Sequence, residues 1–134
     1  MIVIKKLVKA LSVTAFLGGV SALQAAPPDQ VAVGKASFYA ERFHGRRTAS
    51  GERYNMHDLT AATVHSRYPF GTVLRVTNLR NSRSVELRVN DRGPLPRGRL
   101  IDVSKRAATE LGFLHAGTAP VKIEVVEWGG RDRS

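Results

Sequence analysis

Three carboxylates stand where a chain of this kind could place proton-transfer chemistry: Glu52, Asp91 and Asp102, with Asp58 a fourth. The chain has no cysteine, no His-x-x-x-His or Glu-x-x-His spacing and no phosphate-cradling glycine loop, so neither a metal nor a cofactor is expected. No Gly-x-Ser-x-Gly elbow presents a serine nucleophile. What remains is carboxylate and histidine chemistry. A carboxyl group that protonates a leaving oxygen near neutrality must have its pKa raised, usually by burial.

The elements that must position these groups are mostly short strands. From Ser84 to Asn90 apolar Val85, Leu87 and Val89 alternate with Glu86, Arg88 and Asn90, the period of a half-buried strand. Asp91 is expected where that strand stops, with Gly93 free to take positive φ and Pro94 unable to continue a ladder. Gly34 to Tyr39 reads as a first strand and Thr72 to Asn78 as another, with Asn81-Ser82 turning the chain into the Ser84 strand. Residues 40–53 lack either periodicity and read as a loop of functional length, whose Arg46, Arg47 and Phe43 could line a groove. Tyr54 to Ser66 fits a helical turn or an extended run equally. Leu100 to Val103 is a short extended piece, after which Ser104 N-caps a helix to about Leu111 with Gly112 past its end. Val121, Ile123 and Val125 mark a last strand running to Trp128, and 129–134 is a charged tail. Many short strands and one helix point to a small β-barrel.

Lys5, Lys6 and Lys9 precede the apolar run Ala10 to Val20 and then Ala25-Ala26, the pattern of an export signal over residues 1–26. That run is too short for a comfortable membrane span, so no stable insertion is expected after cleavage. Residues 27–134 suffice for one domain, which in the absence of cysteine must be held by its core rather than by disulfides. It carries 18 Lys and Arg against 11 Asp and Glu, and 15 of the 18 are Arg, so an anionic partner or one rich in planar acceptors is expected. Export argues against nucleic acid. A soluble, monomeric protein of the periplasm or exterior is the expectation.

Seven segments in order carry a resemblance: Gly34 to Tyr39, Phe43 to Tyr54, Leu59 to Ala62, Pro69 to Thr72, Val76 to Asn78, Asn90 to Pro94 and Ile101 to Ser104. Together they resemble the rare lipoprotein A family over nearly all of residues 27–134. The resemblance implies a mainly β fold, a small six-stranded double-psi β-barrel with one or two short helices, barwin- and expansin-like. It also implies lytic transglycosylase activity on the glycan strands of bacterial peptidoglycan, leaving 1,6-anhydro-muramic acid ends.

On that resemblance the catalytic groups are Asp91, Glu52 and His65. His65 matches the family histidine when counted back from Pro69, and Thr63 takes that place when counted forward from Ala62. Substrate contact falls to Arg46, Thr48, Ser50, Tyr54, Asn55 and Arg92, and structural roles to Asp102, Gly93 and Pro94. Asn55 stands where the family usually has Asp, and a lipid-bearing cysteine is absent. Two assignments of the acid stay open. Asp91 is one; Glu52 is the other, because Arg92 beside Asp91 would favour an ionised Asp91. The alternative to catalysis is an expansin-like wall-binding module that holds a glycan with Arg46, Arg47, Arg92, Tyr54 and Tyr68.

Overall fold

A computed structural model describes residues 30–64 and 68–130. Six strands and one α-helix follow one another as β1 (Val31–Phe38), β2 (Thr60–Thr63), β3 (Val73–Asn78), β4 (Ser84–Arg92), β5 (Arg99–Val103), α1 (Lys105–Leu111) and β6 (Ala119–Glu127). A 3-10 turn, Glu41–Phe43, follows β1. The strands close into a barrel in the order β1, β5, β2, β4, β3, β6, with β6 pairing back to β1. Two of the pairings, β1 with β5 and β2 with β4, are parallel, and the rest are antiparallel. Closure leaves no edge strand among the described residues to be protected.

Alternation explains which residues fill the barrel. Val85, Leu87 and Val89 of β4, Leu74 and Val76 of β3, and Val121 and Ile123 of β6 are buried together. Helix α1 adds Ala107, Ala108 and Leu111 to the same cluster, and Phe113 beyond it meets Phe38 edge-on at 5.8 Å. The stretch that fits helix and strand equally on sequence resolves as β2. A strand with partners on both sides and four buried residues gains more there than one isolated helical turn.

Side chains tie the turns to the helix. Ser104 Oγ accepts from Ala107 N at 3.2 Å and donates to the carbonyl of Asp58 at 2.6 Å, so α1 begins directly after β5 in a fixed direction. At its other end Gly112 takes φ 78°, and a Cβ there would meet Arg83 Nη1 at 2.8 Å. The Leu111 carbonyl accepts from both Asn78 and Asn81, which ties the β3–β4 turn, with Ser82 at φ 64°, to the helix end.

Two expectations near β4 are corrected. The strand runs on through Arg92, so Asp91 lies within it rather than at its stop, paired in parallel with Ala62. Gly93 is not among the residues with positive φ, and a Cβ there would meet nothing within 4 Å, so no left-handed turn requires glycine at this position.

The Ser104 cap gives a stability test. Ser104→Ala removes one accepted and one donated hydrogen bond at a fully buried position. It is expected to lower unfolding stability by about 1–3 kcal/mol in denaturant melts, while the conservative Ser104→Thr loses less.

Candidate active site

The register across the barrel sets four residues side by side on adjacent strands. Ser37 pairs with Asp102, Asp102 with Ala62, and Ala62 with Asp91. The local register shift between Ala61 and Ala62 is what brings Ala62 opposite Asp91. Asp91 and Asp102 are thus two strand spacings apart, roughly 10 Å between Cα atoms, with only a methyl group between them. Both carboxylates and Ala62 line a cleft of about 310 Å³. Its other walls include Tyr39, Phe43, Arg46, Thr48, Tyr54 and Arg92.

Asp91 accepts three hydrogen bonds, two of them from backbone amides. Its Oδ2 accepts from the Tyr39 hydroxyl at 2.5 Å, and its Oδ1 accepts from the backbone N–H of Ala49 and of Arg92, each at 2.8 Å. Burial followed by the bond to Asp91 pushes the Tyr39 phenol far above its ordinary value, so it stays a donor. The Tyr39 ring stacks on Tyr54 at 4.4 Å. The Arg92 guanidinium faces elsewhere: it donates to the carbonyls of Tyr68 and Asp91 and to Thr63 Oγ1, and lies 4.3 Å over the Phe70 ring.

Asp102 is held differently. Its Oδ1 accepts from Ser37 Oγ at 3.1 Å, and burial pushes its carboxyl above the ordinary carboxylate value, opposed by Ser37 and Arg99 and reinforced by the charge of Asp91.

Glu52 sits outside the set of residues that line the cleft. It receives Arg88 in a two-pronged ion pair at 2.5 and 3.1 Å and Asn90 Nδ2 at 3.2 Å, and the Arg88 hydrogen bond, foremost, holds its carboxyl below the ordinary value. Arg88 and Asn90, two apart on β4, had no assigned role on sequence. Their period-two spacing opposite the core residues is the signal that sets them side by side.

The loop before Tyr54 is more ordered than its composition suggests. Gly45 N donates to Tyr54 O and Thr48 N to Glu52 O, and Arg47 bridges to Arg53, making a small hairpin that turns at Gly51 with φ 97°. Its tip is fastened to β4 through Ala49 to Asp91 and Ser50 N to Asn90 O. Thr48 Oγ1 bonds the Glu52 carbonyl and Ser50 Oγ.

The cleft therefore brings together Asp91, Asp102, Arg46, Thr48, Tyr54, Arg92, Gly93 and Pro94, but not Glu52, Ser50 or Asn55. The Asn55 side chain accepts from His57 N and closes its own turn. Thr63 is fully buried and does not line the cleft. His65 lies outside the described residues. Tyr68 is buried and stacked on Trp128 at 6.5 Å, so its ring is no platform for a sugar.

A closed six-stranded barrel with two parallel pairs and an open cleft that two aspartates line defines a double-psi β-barrel. The family model described as lytic transglycolase matches residues 31–123, and the chain belongs to that family. Among similar curated proteins are the endolytic peptidoglycan transglycosylases RlpA of Neisseria meningitidis (serogroup A), 54% identical over 75% of this chain and 43% of that protein, and of Campylobacter jejuni, 50% identical over 76% and 38%. The chain thus spans about two fifths of the length of these relatives. Solved structures share the fold. The Streptomyces papain inhibitor has a TM-score of 0.60 at 22% identity, covering 77% of this chain and all of that one. The expansin of Clavibacter michiganensis has 0.56 at 24%, covering 78% and 52%.

The Glu52–Arg88 pair yields a pH prediction. Because the folded-state value of Glu52 is depressed, its contribution to stability is present above its ordinary value of 4.5 and is lost as pH falls through the folded value. Both side chains are more than a third exposed, so the effect is discounted to below about 1 kcal/mol. Arg88→Gln should cost that much stability near neutral pH and nothing in strong acid, as read by denaturant midpoints at the two conditions.

Proposed function

We propose that this chain cleaves the glycan strands of bacterial peptidoglycan as a lytic transglycosylase, leaving 1,6-anhydro-muramic acid ends. The observation that carries this reading is the pair of aspartates flanking Ala62 at the floor of the cleft, one raised by burial and one ringed by donors. The names of its relatives, endolytic peptidoglycan transglycosylases, supply the substrate. Residues 1–26 direct export in this reading, which sets the barrel in the periplasm or outside the cell.

The division of labour follows from surroundings. Asp102, pushed up by burial, carries the proton and gives it to the leaving O4 as the C1–O4 bond breaks with its electron pair going to oxygen. Asp91, fixed by three donors, faces the positive charge that develops at C1. The muramic 6-hydroxyl then forms the O6–C1 bond, and its proton returns to Asp102. No water is consumed and the acid is regenerated. Glu52, held ionised by Arg88, suits the proton-donor role less than Asp102 does; it braces the hairpin, beside its turn, against β4. Arg46, Thr48, Tyr54 and Arg92 line the path of the sugar chain.

A second reading, a wall-binding module that does not turn over substrate, is favoured by one observation: a similar fold, the Clavibacter michiganensis expansin, was solved in complex with cellohexaose. Turnover separates the two.

Purified protein incubated with sacculi should release anhydro-ended fragments, identified by mass spectrometry. Products with reducing ends alone would mean hydrolysis, and binding without products would mean the second reading. Asp102→Asn and Asp91→Asn should each lower the rate by about 10² to 10⁴, with Glu52→Gln costing less. Activity should decline as pH rises through the elevated Asp102 value, because the protonated acid is then lost; a rate that climbs through that range would remove Asp102 from the role.

A further inference from the structure

The hairpin loop and the turn before it hold two acids and four arginines, and both acids are drawn to cations of other elements. Glu41 pairs with Lys105 of α1, and Glu52 pairs with Arg88 of β4. Two of the arginines brace the loop itself: Arg47 donates to the Gly51 carbonyl at 2.7 Å and Arg53 to the Gly45 carbonyl at 3.0 Å. Arg42 and Arg46 remain. Their guanidinium groups lie 4.9 and 5.4 Å from the centre of one ring, Phe43, and neither pairs with a carboxylate among the described residues. Both side chains are exposed.

Gathering two cations on one aromatic ring, with the local acids engaged elsewhere, leaves a concentrated positive potential. The ring is not adrift. Tyr39 meets Phe43 edge-on at 6.2 Å and donates its hydroxyl to Asp91, so the cation pair is fixed relative to the catalytic floor through two packed rings. Phe43 and Arg46 themselves line the cleft. A guanidinium is planar and always charged, and it binds a carboxylate through two parallel hydrogen bonds.

We infer that Arg42 and Arg46, carried on Phe43, form a carboxylate-binding subsite at the mouth of the cleft that takes an acidic group of the glycan. The inference rests on the substrate proposed above. Such a group is the lactyl carboxylate of a muramic acid bare of peptide, or a carboxylate of a peptide stem. Either one anchors the strand beside the Asp91–Asp102 floor without touching the bond that breaks.

The test is retention of the purified full chain on sacculi coupled to beads through their glycan strands, native or stripped of peptide by an amidase, each with and without conversion of carboxyl groups to methylamides. Capping should weaken wild-type retention about tenfold. The Arg42→Gln/Arg46→Gln double variant, its fold checked by circular dichroism, should show a similar loss on uncapped material and little further loss on capped material. Tighter binding to stripped sacculi assigns the lactyl group; tighter binding to native sacculi assigns the stem. Retention of the wild type unchanged by capping, or an equal loss by the variant on capped and uncapped material, overturns the subsite. Binding needs no turnover, so a failure here is separate from a failure to find anhydro products.

Discussion

The Asp91 carboxylate is where three separate parts of the chain are joined. Its two oxygens receive the phenol at the end of β1, an amide at the tip of the 45–54 hairpin and the amide of the next residue in its own strand. Remove those bonds and the hairpin tip keeps only the Ser50 amide as its backbone tie to β4. Tyr39 would likewise lose the partner that sets its hydroxyl. The same bonds that close one wall of the cleft therefore orient the charge inside it, and a substitution that keeps an acceptor at Oδ1, such as Asn, separates the structural from the electrostatic contribution.

Around that anchor the site distributes charge by environment rather than by residue type. Three carboxylates are within reach of β4 and its neighbours, and each meets a different setting: a two-pronged arginine for Glu52, neutral donors for Asp91, burial and one serine for Asp102. Arginine proximity in sequence is a poor guide to this. Arg92 is adjacent to Asp91, yet its guanidinium stacks on Phe70 and bonds backbone carbonyls, whereas Arg88 reaches Glu52 across 36 positions of chain.

Much of the scaffold was legible in the residues. Alternation in Ser84 to Asn90 and around Val121, Ile123 and Val125 marked strands that the structure contains, and Ser104 with Gly112 bounded the helix. The many short strands with one helix pointed to a small β-barrel, and the match of seven segments to its double-psi form. What escaped was register. No local pattern says that Ala62 stands between Asp91 and Asp102, because that depends on a shift at Ala61/Ala62 in a pairing between strands about thirty residues apart. The hairpin of 45–54 escaped for a related reason: its bonds run backbone to backbone and through the Thr48 hydroxyl, with no apolar alternation to announce them. The family resemblance gives Asp102 a structural role; its position lining the cleft, beside Ala62, and its raised carboxyl are what the proposed reaction draws on instead.

Asp102 must be the group that holds a proton in the proposed reaction, and carbon-13 NMR titration of the side-chain carboxyls reads this directly in the free protein. Asp102 should titrate above the ordinary aspartate value of 3.8 while Glu52 titrates below its own 4.5. An Asp102 that titrates at or below 3.8 would contradict its assignment as the acid, whatever products the protein releases.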